Sequence, residues 1–206
     1  MLLSVSDVSV SRGGRVLLEG VTFDLQAGRA IVLTGKNGIG KTSLLRTLAG
    51  LQDANSGYVD VPQNGVVYSA HLDGIKHALS VAENLQFWGA VFGRSNVDTA
   101  LETFELYHLR DVMAGALSAG QKRRLGLARL LVTGRSIWLL DEPTVSLDLG
   151  SIKQLTRVLN EHLGAGGSTI IATHSALDLK GQEVTIDLGK FAATKTGLSA
   201  SEEAFL

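Results

Sequence analysis

The sequence predicts an α/β fold: a mostly parallel sheet covered by helices, an antiparallel β region beside it, and an inserted block of helices. Three observations predict it. Ala30-Ile31-Val32-Leu33-Thr34, Ser136-Ile137-Trp138-Leu139-Leu140 and Ser168-Thr169-Ile170-Ile171-Ala172 are short apolar runs of the kind buried on both faces of a sheet. Helical stretches alternate with them, as in parallel sheets built from βαβ units. Between the first run and its helix lies a glycine-rich loop, Gly35-Lys36-Asn37-Gly38-Ile39-Gly40-Lys41-Thr42.

Along the chain, residues 2–10 and 21–26 alternate apolar and polar side chains, the pattern of half-buried strands. The loop after Thr34 leads into a helix from about Lys41 to Gly50. Strand-like segments near 57–61 and 65–70 flank a Pro-Gln-Asn-Gly turn. From about 72 to 116 the character is helical. Ser80-Val81-Ala82-Glu83 is a capping-box pattern, and a second helix fits Asp98 to Leu109. The helix that the capping box opens is rich in apolar residues, Leu85, Phe87, Trp88, Val91 and Phe92; Phe87, Trp88 and Phe92 read mostly as core of this block, with some of them lining a docking groove. A further helix covers 118–132, and another near 150–163 stops at Gly164-Ala165-Gly166-Gly167. The expected organisation is one domain over 1–206, with a core of about 1–71 and 117–206 and a helical subdomain of about 72–116. The tail past about 190 is weakly patterned.

At 206 residues the chain is long enough for a substantial core. Net charge is −1, so no basic footprint points to nucleic acid. There is no cysteine, which excludes disulfides, thiolate chemistry and cysteine-based zinc sites. No run approaches the roughly 18–20 apolar residues of a membrane span. Met1-Leu2-Leu3-Ser4-Val5-Ser6-Asp7 does not read as a signal peptide. A role at a membrane therefore requires docking onto another subunit.

The loop at 35–42 matches the P-loop template G-x-x-x-x-G-K-[ST]. Its glycines let backbone N–H groups turn inward around an anion, Lys41 suits the β- and γ-phosphates, and Thr42 suits Mg²⁺. Ile137-Trp138-Leu139-Leu140-Asp141-Glu142 is an apolar strand ending in two carboxylates. Parallel sheets carry their sites at the carboxyl ends of strands, so Asp141 and Glu142 should face the same crevice as the loop. Asp141 then holds Mg²⁺ and Glu142 accepts a proton from the attacking water. By itself such a pair reads as a solvated strand end; behind a P-loop the catalytic reading prevails. Leu117-Ser118-Ala119-Gly120-Gln121 adds a second phosphate-suited device, with Ser118 placed to cap the helix that follows.

P-loop, L-S-A-G-Q, Asp141-Glu142, Ser146-Leu147-Asp148 and His174 occur in the order seen in the nucleotide-binding domain of an ATP-binding cassette (ABC) transporter, which the chain resembles over about residues 5–175. The resemblance implies the P-loop ATPase fold and hydrolysis of ATP with Mg²⁺. It implies two copies face to face, each nucleotide lying between the P-loop residues and Ser43 of one copy and Ser118, Gly120 and Gln121 of the other. It also implies that His174 senses the γ-phosphate; alone, a histidine at a strand end would read as structural. Ser146 and Asp148 match the segment that crosses to the partner, and both read equally as helix caps.

Three positions depart from the family pattern. Arg12 stands where an aromatic residue usually stacks on adenine; a guanidinium plane stacks on a base too. His71 stands where the family has a glutamine near metal and water. Ala119 replaces a glycine, while Gly120 is kept. With Leu177-Asp178-Leu179 and Ile186-Asp187-Leu188-Gly189, these resemble one branch of the family, the ATP-binding subunits of the haem exporter of cytochrome c maturation. That branch implies integral membrane permease partners and a peripheral place on the cytoplasmic face of the inner membrane. No haem-ligand set is apparent, so direct haem binding is not expected. Export of a peptide or drug, or a soluble ABC ATPase of translation or DNA repair, are the alternative readings.

Overall fold

A computed structural model describes residues 2–70, 74–93, 96–180 and 183–194. In chain order the elements are β1 (Leu3–Arg12), β2 (Arg15–Leu25), β3 (Ala30–Thr34), α1 (Lys41–Leu48), β4 (Ser56–Asp60) and β5 (Val66–Ser69). They continue with α2 (Val81–Phe92), α3 (Val97–Thr103), α4 (Ala119–Thr133), β6 (Ile137–Asp141), α5 (Leu149–Gly164), β7 (Ser168–Ala172) and β8 (Glu183–Asp187). Two sheets result. One is antiparallel in the order β2-β1-β4, and the other is wholly parallel in the order β5-β6-β7-β3-β8. The α/β fold read from the sequence is the one observed.

Every residue of β6 and β7 is buried, as their unbroken apolar runs require. Strand alternation divides their side chains between two cores. Ile137, Leu139 and Ile170 pack with α1 and the antiparallel sheet, whereas Trp138, Leu140 and Ile171 pack with α2, α4 and α5. Each fully buried leucine or isoleucine stabilises the fold by about 1.5–3 kcal/mol. The sheet at the centre is thus held from both sides, and the carboxyl ends of β3, β6 and β7 form one rigid edge.

The structure differs from the sequence expectation at four places. Strands β4 and β5 flank the turn before Gly65, yet they belong to different sheets and do not pair. The helix expected to reach Leu109 ends at Thr103, because Glu105 turns left-handed (φ 54°) and so buries both Phe104 and Leu106. A 3-10 turn at Tyr107–Leu109 follows. Strand β8 was not anticipated: it is an edge strand with mostly exposed side chains and no apolar run to mark it. Finally, of the apolar residues on α2, Leu85 is buried and Trp88 packs partly against the core, but Phe87 and Val91 are exposed. Among the described residues no helix is long and apolar enough to cross a membrane.

Candidate active site

The P-loop joins β3 to α1, and its shape depends on glycine. Gly35, Gly38 and Gly40 have φ values of 140°, 79° and 122°, a region that a side chain disfavours. A Cβ on Gly40 would also lie 3.0 Å from Leu18 Cγ. Gly40 is the N-cap of α1 and supplies no side-chain cap. The first-turn N–H groups of α1 therefore lack side-chain acceptors, and with the helix dipole they suit an anion. Lys41 is only 8% exposed, and its Nζ donates to the carbonyls of Gly35 at 2.8 Å and Lys36 at 3.4 Å.

The carboxylates arrive from β6. Asp141, the last residue of the strand, is 3% exposed, and its Oδ2 accepts from the Tyr68 hydroxyl at 3.2 Å. Burial, then the Asp141 charge, pushes the Tyr68 phenol well above its ordinary range, so it remains a donor. Glu142 follows with φ 47° and donates its N–H to Ala172 O at 2.8 Å. Left-handed backbone at a non-glycine costs about 1–2 kcal/mol. Arg123 of α4 holds that turn from below. Its guanidinium donates to the carbonyls of Glu142 at 2.7 Å, Asp141 at 3.3 Å and Pro143 at 3.2 Å, and to Ala70 at 3.1 Å.

His174 lies two residues past β7 and completes the group. Its Nε2 is 3.2 Å from Lys41 Nζ, 3.0 Å from Asn37 Oδ1 and 3.6 Å from Glu142 Oε1. A bare Nε2 accepts from Lys41, and a protonated one donates to Asn37 and pairs by charge with Glu142. Phosphate-suited cation, acid and histidine thus converge on one point. A cleft of about 370 Å³ opens beside this point, and His174 reaches it only through its contacts with Lys41, Asn37 and Glu142, not as a lining residue. Its lining runs from Arg12 and Leu17 through Asn37, Gly38, Gly40, Lys41, Thr42 and Ser43 to Asp141 and Glu142. Gly35, Lys36 and Ile39 shape the loop behind it: a Cβ on Gly35 would sit 3.1 Å from Ile39 Cγ2.

Ser118, Gly120 and Gln121 do not line this cleft. Ser118 caps α4 as the sequence suggests, in a capping box with Gln121. A Cβ on Gly120 would lie 3.3 Å from Ser146 O, so the helix start packs close to the chain's own Ser146 turn. Of the two caps expected nearby, Asp148 is one: it caps α5 by accepting from Ser151 N at 2.7 Å, a bond that holds its carboxyl below the usual range. Ser146 is not a cap; it takes a left-handed turn with φ 65°. His71 lies outside the described residues.

The ABC transporter family profile matches residues 18–145, more than half of the chain and the whole span from the P-loop to the carboxylate pair. The chain belongs to the ABC transporter family. It is accordingly an ABC-type ATPase. Over the full length of both chains it is 55% identical to the cytochrome c biogenesis ATP-binding export protein CcmA of Roseobacter denitrificans. The protein of the same name from Paracoccus denitrificans is 55% identical, over 94% of this chain and 92% of its own. Among solved structures, an ABC transporter ATP-binding protein of Pyrococcus furiosus superposes with a TM-score of 0.81 at 27% identity, covering 93% of this chain and 99% of its own. The cbiO1 protein of Clostridium perfringens, part of the ABC transporter complex cbiONQ, gives 0.70 at 25% identity over 84% of this chain and 78% of its own.

Sequence reasoning missed two residues of this ABC site. Tyr68 stood in a short strand with nothing to mark its hydroxyl. Strand parity was the available signal, since Tyr68 pairs with Leu139 in β6 and shares the face of Asp141. Arg123 was visible only as part of a basic run, Lys122-Arg123-Arg124, and its 3% exposure sets it apart from ordinary surface charge.

Proposed function

We propose that the chain is the ATP-hydrolysing subunit of a haem exporter of cytochrome c biogenesis, acting through membrane permease subunits. The observation that carries its chemistry is the convergence of Lys41, Asn37 and Glu142 on His174 Nε2, all within 3.6 Å, beside a glycine loop at a helix N-terminus. The assignment to haem export is supported by full-length identity of 55% to a protein named for cytochrome c biogenesis export.

In this reading the P-loop and Ser43 hold the phosphates of ATP, and Lys41 leaves its loop carbonyls to bind the β- and γ-phosphates. Arg12 lies against the base. Glu142 takes the proton as a water oxygen bonds to the γ-phosphorus; the bond to the β–γ bridging oxygen breaks, leaving ADP and phosphate. His174 donates to the γ-phosphate. Asp141 and Thr42 hold Mg²⁺. The fit is good: Asp141 Oδ1 has no protein hydrogen-bond partner among the described residues, and hard oxygen donors suit this ion. Among the described residues no three His, Cys, Asp or Glu side chains come together, so Asp141 and Thr42 are the residues that would hold the ion. When bound, Mg²⁺ neutralises charge on the β- and γ-oxygens.

Ser118, Gly120 and Gln121 close over the nucleotide of a second copy. The domain is a single cassette over 1–206, peripheral on the cytoplasmic face of the inner membrane, with the block 72–116 passing motion to the permease. The exposed Phe87 and Val91 of α2 support that contact. His71, in the place of the family's glutamine, serves as a ligand for water or metal. Neither nucleic acid nor haem is a direct ligand.

Replacing Glu142 with Gln tests the chemistry. ATP binding is retained, turnover falls by about 100-fold or more, and the protein elutes as an ATP-bound dimer. Turnover near the parent rate overturns the base assignment. Copurification with membrane subunits from a haem-exporting strain tests the assignment of cargo.

A further inference from the structure

We infer that Tyr68 is a positioning residue for the metal, acting through Asp141; this rests on the reading of Asp141 as a Mg²⁺ ligand. Asp141 is 3% exposed and lines the cleft, so the lone pairs of its carboxylate are satisfied by protein donors, by water or by a cation. Among the described residues, the Tyr68 hydroxyl at 3.2 Å is the one hydrogen-bond donor to its side chain, and it engages Oδ2 alone. That bond fixes the rotation of the carboxylate about its last torsion, which is otherwise soft. Oδ1 is then the oxygen left for the cation.

The backbone explains why a phenol arrives there. β5 is the edge strand beside β6, in parallel register with Tyr68 opposite Leu139 and Ser69 opposite Leu140. Asp141 lies two residues beyond Leu139, on the same face. A side chain from Tyr68 must reach forward along the sheet by about the two-residue strand rise, roughly 6.6 Å. Tyrosine has that reach; serine or threonine in its place does not. Arg129 of α4 donates to Tyr68 O at 3.1 Å and so fixes the strand from which the phenol projects. Outer partners that orient a metal-bound carboxylate typically change metal affinity by about 10–100-fold when removed.

The test uses the full chain with ADP, and Mn²⁺ as an EPR probe for the Mg²⁺ site. In Tyr68→Phe, Mn²⁺ binding in the ADP complex weakens by about ten-fold, while ADP binding in EDTA is unchanged. The Mg²⁺ concentration for half-maximal ATPase rises by a similar factor. Unchanged Mn²⁺ affinity overturns the inference, including when the variant is merely less stable to heat. Tyr68→Leu, which fills part of the space with no hydrogen-bond donor, is the second variant and must weaken Mn²⁺ in the same direction. Asp141→Asn separates the two readings. If it leaves Mn²⁺ binding intact, the metal assignment of Asp141 fails; if it abolishes binding and neither Tyr68 variant weakens it, only the Tyr68 role fails.

Discussion

The starts of α1 and α4 are built in opposite ways for what we propose is the same ligand. Helix α1 begins at Gly40, which has no side chain to offer, so its first-turn N–H groups remain available to phosphate. Helix α4 begins at Ser118, whose oxygen accepts from Gln121 N at 3.3 Å while Gln121 Oε1 accepts from Ser118 N at 2.9 Å. Its orphan donors are already partly used. What remains for an anion is the Ser118 O–H and the first-turn N–H groups of Ala119 and Gly120, together with the dipole of the helix. The first arrangement suits a site that binds nucleotide within one chain. The second is stable without nucleotide and suits a surface that waits for one carried by a partner.

Mixing two inactive variants is the most demanding test of this contrast. Lys41→Ala disables the cleft, and Gly120→Asp places a carboxylate at the start of α4, where even a Cβ is 3.3 Å from Ser146 O. Each alone is expected to lose about 100-fold or more in ATPase rate, as removal of an electrostatic stabiliser does. Mixed, they recover part of it, because a mixed dimer contains one site with an intact P-loop and an intact α4 start. Steady-state ATPase against mixing ratio measures this. No recovery at any ratio means that both devices act on one nucleotide within one chain.

The two regions were unequally legible before the structure. The P-loop and β6 announce themselves locally: β3 spans Ala30–Thr34 as the apolar run indicated, and glycine spacing carries the loop. The Ser118 cap was equally readable. The link between the regions was not. Arg123 reaches carbonyls 18 to 20 residues away at the end of β6, and 53 away at Ala70. No local pattern encodes such a contact, because backbone carbonyls carry no residue identity. Tyr68 was hidden for a related reason, since its value depends on register with a strand about seventy residues later.

Arg123 gives the next largest effect, because it ties the α4 turn to the turn of Glu142. Arg123→Met deletes donors to four carbonyls while filling much of the volume. We expect a loss of about 1.5–3 kcal/mol in unfolding free energy, the range for losing hydrogen bonds from a charged donor to buried acceptors. Urea titration checks it. Arg123→Lys keeps the charge, yet an ammonium on a flexible stem cannot span all four acceptors. It should fold while losing more kcat than ATP affinity, since Glu142 is then less firmly placed. Equal losses in both would show that α4 supports the whole fold and not the carboxylate turn.

The smallest effect lies at the other end of the sheet and serves as the contrast case. His162 of α5 stacks on Trp138 with ring centroids 3.7 Å apart, and its Nε2 faces the carbonyls of Ser136 at 3.1 Å and Ser168 at 3.3 Å. A Cβ on Gly167 would strike the ring at 2.2 Å, which explains the glycine there. Burial depresses the His162 pKa below its ordinary 6.5, outweighing the help of the two carbonyls. The unfolded chain therefore takes the proton first as pH falls. Stability contributed by the neutral ring is full above about pH 6.5 and declines below it until the folded-state pKa is passed. Urea midpoints for the parent should drop between pH 7.5 and 5.5, and His162→Phe should flatten that slope. Because this group is remote from the cleft, the same substitution should leave ATP affinity at pH 7.5 unchanged. A shift in that affinity would mean that the two ends of the sheet are coupled, and that neither helix start can be treated as a local device.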